Sequence, residues 1–144
     1  NLKLIIENYL KEYRKDSYEL VKTNQNLFSS SIPLIQERIK KLSEYWSICS
    51  FFFNRPISYE IDMSSYKNQL QSTIEKLMAI DQWNAQAIGE SMQQTCETLG
   101  SKKSDYFMMM RVAVTGNKIS PPLNESMELL GKDEVLSRLR SISS

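Results

Sequence analysis

No histidine occurs in the 144 residues, which excludes Ser-His-Asp and Cys-His nucleophilic mechanisms and every zinc site that needs an imidazole. Only two cysteines are present, Cys49 and Cys96, with no CxxC spacing. Neither a thiolate metal site nor a redox motif is therefore encoded, and two buried free thiols in a reducing compartment are the expected state. No GxGxxG, GxxxxGK[ST] or GxSxG is found, so nucleotide cradles and hydrolase elbows are missing. No run approaches the roughly 18–20 apolar residues that span a bilayer, and no signal-peptide pattern opens the chain. Neither charge sign prevails: 18 basic and 17 acidic residues leave +1. Global charge gives no argument for nucleic acid, and only a local cluster could attract it. Residue 1 is not methionine, and the chain is expected to be an excerpt from a longer cytosolic protein, with an organellar matrix as the other compartment left open.

Glycine and proline are also scarce, four of each, and the long stretches between them carry helical periodicity. Leu2, Ile5, Ile6, Tyr9, Leu10 and Tyr13 fall at steps of three and four. After the polar "SSS" of 29–31, Ile32, Ile35 and Ile39 mark a second face, with Pro33 tolerable in a first turn. "SEYWSICSFFF" predicts a third helix, broken by "NRPIS", because a residue before proline is pushed out of the helical region. Another helix is expected from Ser64 or Ser65, and Asp81 is the expected N-cap of "QWNAQAIGESMQQTCETL", stopped by Gly100. "DYFMMMRVAVTG" is apolar enough to fit helix or strand, and helix is preferred because no partner strand is evident. An apolar content of 41% with 24% charged residues suits a buried core. The predicted fold is all-α, a helical bundle or superhelix of two small lobes, residues 1–62 and 63–144, with "NRPIS" between them.

Catalytic and metal-binding candidates are lacking. Glu125 and Glu128 lie three apart, a spacing that more often marks a solvated helix face than a cation site. Binding candidates are better. Arg38, Lys40 and Lys41 cluster in "QERIKKL", where a helix would put Arg38 and Lys41 on one side, while Arg138 and Arg140 are expected to decorate the surface of the last helix. Arg111 follows an apolar run and heads "RVAVTGNKISPPL". There Gly116 can take a positive φ, Ser120 is the expected N-cap and Pro121 the expected first helical residue. Free amides at a helix start attract phosphate, but Pro121 and Pro122 remove two of them. The tip therefore suits flat apolar contact with a base better than a backbone grip. Leu123, Met127 and Leu130 should face inward and Gly131 should close that helix, with Val135, Leu136, Leu139 and Ile142 repeating the pattern.

The stretch "RVAVTGNKISPPLNESMELLGKDEVLSRL" resembles the C-terminal signature of the bacterial-type glutamyl-tRNA synthetases: an R-x-A-x-T-G, a proline-bearing loop, then LLGK-[DE] and L-x-R-L. The matching residues are Arg111, Ala113, Thr115, Gly116, Pro121, Leu123, Leu129, Leu130, Gly131, Lys132, Leu136, Arg138 and Leu139. Upstream, "LIQERIKKLSEYWSICSFFF" is similar to the family's helix with R-(apolar)-x-x-L-x-(E/D), so the resemblance covers the whole chain. It implies the anticodon-binding part of a class I enzyme that joins glutamate to its tRNA. ATP and Mg would be used by a catalytic domain absent from this segment, which itself has no catalytic residue and no cofactor. Carried over by position, Arg38 matches the arginine that approaches the third anticodon base. Arg111, Ser120, Pro121 and Leu123 match residues around the loop that meets splayed bases. The implied partner is the tRNA-Glu anticodon loop, with no membrane, and a monomer is expected because no heptad seam is present. The competing reading is a non-catalytic helical scaffold that docks another protein through Trp46 to Phe53.

Overall fold

A computed structural model describes residues 1–143, and among them are nine α-helices and no strand. The all-α expectation holds. Two compact units divide the chain, Asn1–Asn54 and Arg55–Ser144. The division falls inside "NRPIS", and the sequence-assigned range 63–144 starts within the second unit.

The first unit holds α1 (Leu2–Tyr13), α2 (Lys15–Thr23), α3 (Gln25–Ile35) and α4 (Ser43–Cys49), followed by a 3₁₀ turn, Ser50–Phe52. From the face expected on α1, Ile6 and Leu10 are fully buried. They join a core with Val21, Phe28, Ile35, Tyr45 and Cys49. The "SSS" triplet does not separate helices as expected, because it lies inside α3. Ser31 is accommodated there by bonding back to the Phe28 carbonyl at 2.7 Å and meeting the Tyr45 hydroxyl at 2.7 Å. Pro33 consequently falls in the last turns of α3, not in a first turn. Tyr45 also packs edge-on against Phe28, ring centroids 5.4 Å apart. Burial raises the Tyr45 phenol and the Cys49 thiol, so neither ionises near neutrality.

The second unit opens with an irregular segment and a 3₁₀ turn, Met63–Tyr66, capped by Asp62, which accepts from Ser64 N at 3.0 Å. It continues through α5 (Lys67–Met78), α6 (Ala85–Leu99), α7 (Lys103–Thr115), α8 (Leu123–Leu130) and α9 (Lys132–Ser143). Here α9 lies against α5, α7 and α8, while α6 packs on α5 and α8. Asp81 is not the cap of α6. Asn84 is, accepting from Ala87 N at 2.8 Å. The later start is fixed by tertiary partners: Trp83 Nε1 donates to the Met127 carbonyl at 3.0 Å, and Glu128 accepts from Ala85 N at 2.6 Å. Glu128 thus acts as a helix-start acceptor.

Met109, Met110, Val112, Ala113 and Val114 of α7 are all fully buried. A helix covered on nearly every side loses the polar stripe that announces its period, which is why helix and strand were hard to separate there. Leu70, Leu77, Ile88, Met92, Met127, Val135 and Leu139 complete the core around it. Tyr106 enters with its hydroxyl 2.7 Å from Thr73 Oγ1, and burial pushes its phenol up to about 12. Both cysteines are free and buried.

Leu77 has no solvent exposure, so Leu77→Ala should cost about 2–5 kcal/mol through lost transfer and a residual cavity. Urea unfolding monitored by circular dichroism checks this, and a loss under about 1 kcal/mol would mean the core around α7 collapses to fill the space.

Candidate nucleic-acid interface

The candidate loop leaves α7 at Gly116, whose φ of +83° is open to glycine but strained for other residues. Space demands glycine as well. A Cβ at this position would stand 2.9 Å from Pro56 Cβ and 3.0 Å from the Ser58 carbonyl oxygen. Just before the turn, Thr115 Oγ1 donates to the Arg111 carbonyl at 2.8 Å and accepts from Asn117 N at 3.1 Å. The Thr-Gly pair therefore ends the helix and starts the turn with paired backbone groups.

Arg111 closes the loop from the other side. Its Nη1 donates to Ser120 Oγ and, at 3.1 Å, to the Pro121 carbonyl. Ser120 Oγ in turn donates to the same carbonyl at 2.7 Å. Ser120 is therefore not the N-cap of α8, and Pro121 is not its first residue. The helix begins at Leu123, with Pro122 at the cap position (φ −49°, ψ 130°). Each proline excludes the helical region for the residue before it. Pro121 and Pro122 in series thus disfavour helical backbone at both Ser120 and Pro121.

This arrangement sorts the loop into an inner and an outer side. Ser120, Pro121 and Leu123 are buried, Leu123 within the apolar core, and Arg111 is half-buried. The side chains given to solvent are Lys118 and Ile119, the latter 75% exposed. Sequence reasoning passed over this outer pair. The available signal was an unpaired apolar residue between a lysine and a serine in a loop too short to bury it.

Two further signature cations cap helix ends in the same unit. Arg138, expected on the surface, is 3% exposed. It donates to the Val114 carbonyl at 2.9 Å and to Glu134 at 2.7 Å, so it caps the end of α7 while its charge is matched. Glu134 also receives the Arg55 fork at 2.8 and 2.9 Å. The Arg55 contact, and after it Arg138, holds the Glu134 carboxyl below its ordinary 4.5, while burial lowers the Arg138 guanidinium from its usual value. Lys132 Nζ caps α5, donating to the carbonyls of Met78 at 2.8 Å and Ile80 at 2.7 Å.

Arg38 belongs to the first unit and is exposed, but it is not helical. Residues 36–42 form the connection between α3 and α4. Glu44 stops the helix from continuing by accepting from both Lys40 N at 2.9 Å and Lys41 N at 2.8 Å. These two amides depress its carboxyl. The turn leaves Arg38, Lys40 and Lys41 exposed together, a local basic cluster in a nearly neutral chain. The neighbouring aromatic segment offers less to a partner: Tyr45, Cys49, Phe51 and Phe52 are buried, and Trp46 stacks on Phe53 at 5.5 Å. No group of His, Cys, Asp or Glu suited to a metal occurs among the described residues.

Residues 5–143 match the profile of the anticodon binding domain family. The chain is similar to the glutamate–tRNA ligase of Rhodococcus jostii, 37% identical over 127 residues, covering 82% of this chain and 26% of that protein. The Acidothermus cellulolyticus glutamate–tRNA ligase is 34% identical over 141 residues, 92% of this chain and 28% of that protein. The chain thus spans about a quarter of the length of the curated relatives it matches. In fold it is similar to the crystal structure of a glutamate tRNA ligase from Elizabethkingia meningosepticum in complex with its amino acid. That likeness has a TM-score of 0.73 at 22% identity, covering 98% of this chain and 31% of that one.

The Arg55–Glu134–Arg138 chain predicts an acid-sensitive contribution to stability. Because the folded carboxyl is depressed, the contribution is complete above pH 4.5 and is lost as pH falls through the lower folded value. Urea midpoints measured from roughly pH 7 to pH 3 should show a shallower acid decline in Glu134→Gln than in the parent. Superimposable acid limbs would remove Glu134 from that role.

Proposed function

The chain belongs to the anticodon-binding domain family, and on that premise we propose that it holds the anticodon loop of tRNA-Glu as one part of a glutamate–tRNA ligase. ATP and Mg would be used by a part outside this chain. Within this segment the task is binding. The proposed contact residues are Arg38 in the first unit and, in the second, Arg111 and the loop bearing Ser120, Pro121 and Leu123.

The observation that carries this reading is the loop with its inner side closed by Arg111 and its outer side carrying Lys118 and Ile119. Single-stranded RNA loops are recognised through unstacked bases, which need apolar or guanidinium surface for their faces and fixed donors for their edges. A stiff turn with one exposed aliphatic side chain and one cation suits a splayed base and its phosphate. Ser120, Pro121 and Leu123 act from inside, by setting the course of the backbone. Arg38, Lys40 and Lys41 supply a second basic element. The near-zero net charge is compatible with this, because a few local cations are enough to hold a short single strand, at a cost in salt sensitivity.

Fluorescence titration of the chain with a labelled tRNA-Glu anticodon stem-loop tests the proposal. Arg38→Ala should weaken binding by roughly 5- to 150-fold, the equivalent of about 1–3 kcal/mol for a lost base contact, and Arg111→Ala, which releases the inner side of the loop, should weaken it to a similar extent. Affinity should also fall with added salt. Parent-like affinity in both variants would contradict the assigned contact region.

A further inference from the structure

We propose that Glu60 is a positioning residue for RNA binding, fixing the outward tip of the 116–122 loop by holding the Lys118 amide. The inference rests on the tRNA reading above and names a residue outside the regions proposed there to meet the RNA.

Residues 55–60 form an irregular strap tied at both ends. At one end Arg55 grips Glu134 through Nε and Nη2 at 2.8 and 2.9 Å. In the middle, Pro56 and Ser58 lie so close to Gly116 that no side chain fits between them. At the other end Glu60 makes a two-point contact: its backbone N donates to the Gly116 carbonyl at 3.0 Å, and its Oε1 accepts from Lys118 N at 2.7 Å. The strap therefore holds the loop on both sides of Asn117, immediately before the exposed Lys118 and Ile119.

Charge argues for positioning over contact. A carboxylate repels an RNA backbone and is a poor contact group, but by accepting from the Lys118 amide it fixes the backbone that carries the attracting lysine. Glu60 and Lys118 are both exposed, and a bond between exposed groups adds little to global stability because water replaces it readily. Its effect should be local, on the tip. Affinity and stability are thus expected to separate.

Two readouts on the same samples test this: amide hydrogen exchange at Lys118 by NMR, and titration with the tRNA-Glu anticodon stem-loop. Glu60→Ala should speed Lys118 exchange about tenfold and weaken RNA binding about five- to tenfold, with the urea midpoint nearly unchanged. Glu60→Gln retains an acceptor oxygen and should restore both to within about twofold. Unchanged exchange and affinity in Glu60→Ala would overturn the proposal. So would a loss that Glu60→Gln fails to rescue, or one that tracks a lowered urea midpoint. If Lys118 exchange responds while the parent chain binds no RNA, the tRNA reading fails and the proposed RNA role of Glu60 falls with it, whereas an unresponsive tip with intact RNA binding overturns only the Glu60 assignment.

Discussion

An α-helix leaves its last four carbonyl oxygens without donors of its own, and the second unit, built from short helices and tight turns, meets that constraint with cationic side chains. Arg138 donates to Val114, Lys132 to Met78 and Ile80, and Arg111 to Pro121. The Arg138 and Lys132 bonds tie helix ends to a helix distant in sequence, and the Arg111 bond ties α7 to the loop that follows it. The ends of α5 and α7 and the approach to α8 are fixed by these bonds as much as by apolar burial. Burying Arg138 is tolerable because Glu134 matches its charge and Val114 its geometry.

The candidate binding loop is a product of that economy of donors. Arg111 holds its inner side, the strap from Arg55 to Glu60 holds its base, and Gly116 allows the two to meet. With those groups committed inward, the loop offers Lys118 and Ile119 outward. A turn made stiff in this way is ordered before any partner arrives, so under the proposed function less entropy would be lost when a base is received. The prolines add to the same effect by restricting the backbone of Ser120 and Pro121.

Helix-bearing periodicity was legible wherever a helix has one wet face, as on α1 with Ile6 and Leu10, and glycine stops were legible at Gly100, Gly116 and Gly131. Features that depend on distant partners were not. Asn84 displaced Asp81 as a cap because Trp83 and Glu128 reach across to α8 and α6. Arg138 looked like surface charge because nothing local marks Val114, 24 residues away, as its acceptor. Resemblance singled out Arg111, Ser120, Pro121 and Leu123, and the structure brings these four together. It also shows three of them facing inward, with the solvent side left to Lys118 and Ile119. Arg38 lies in the other unit, on a turn shaped by Glu44, which no helical pattern would indicate.

On the proposed reading, this chain receives a single-stranded tRNA loop at the 116–122 turn and at the basic turn around Arg38. Mapping of amide chemical shifts during addition of the tRNA-Glu anticodon stem-loop tests it most directly. Shifts are expected to concentrate at residues 38–41 and 116–120, with α5 and the Trp46–Phe53 segment unmoved. Shifts confined to Trp46–Phe53, or none at saturating RNA, would contradict it.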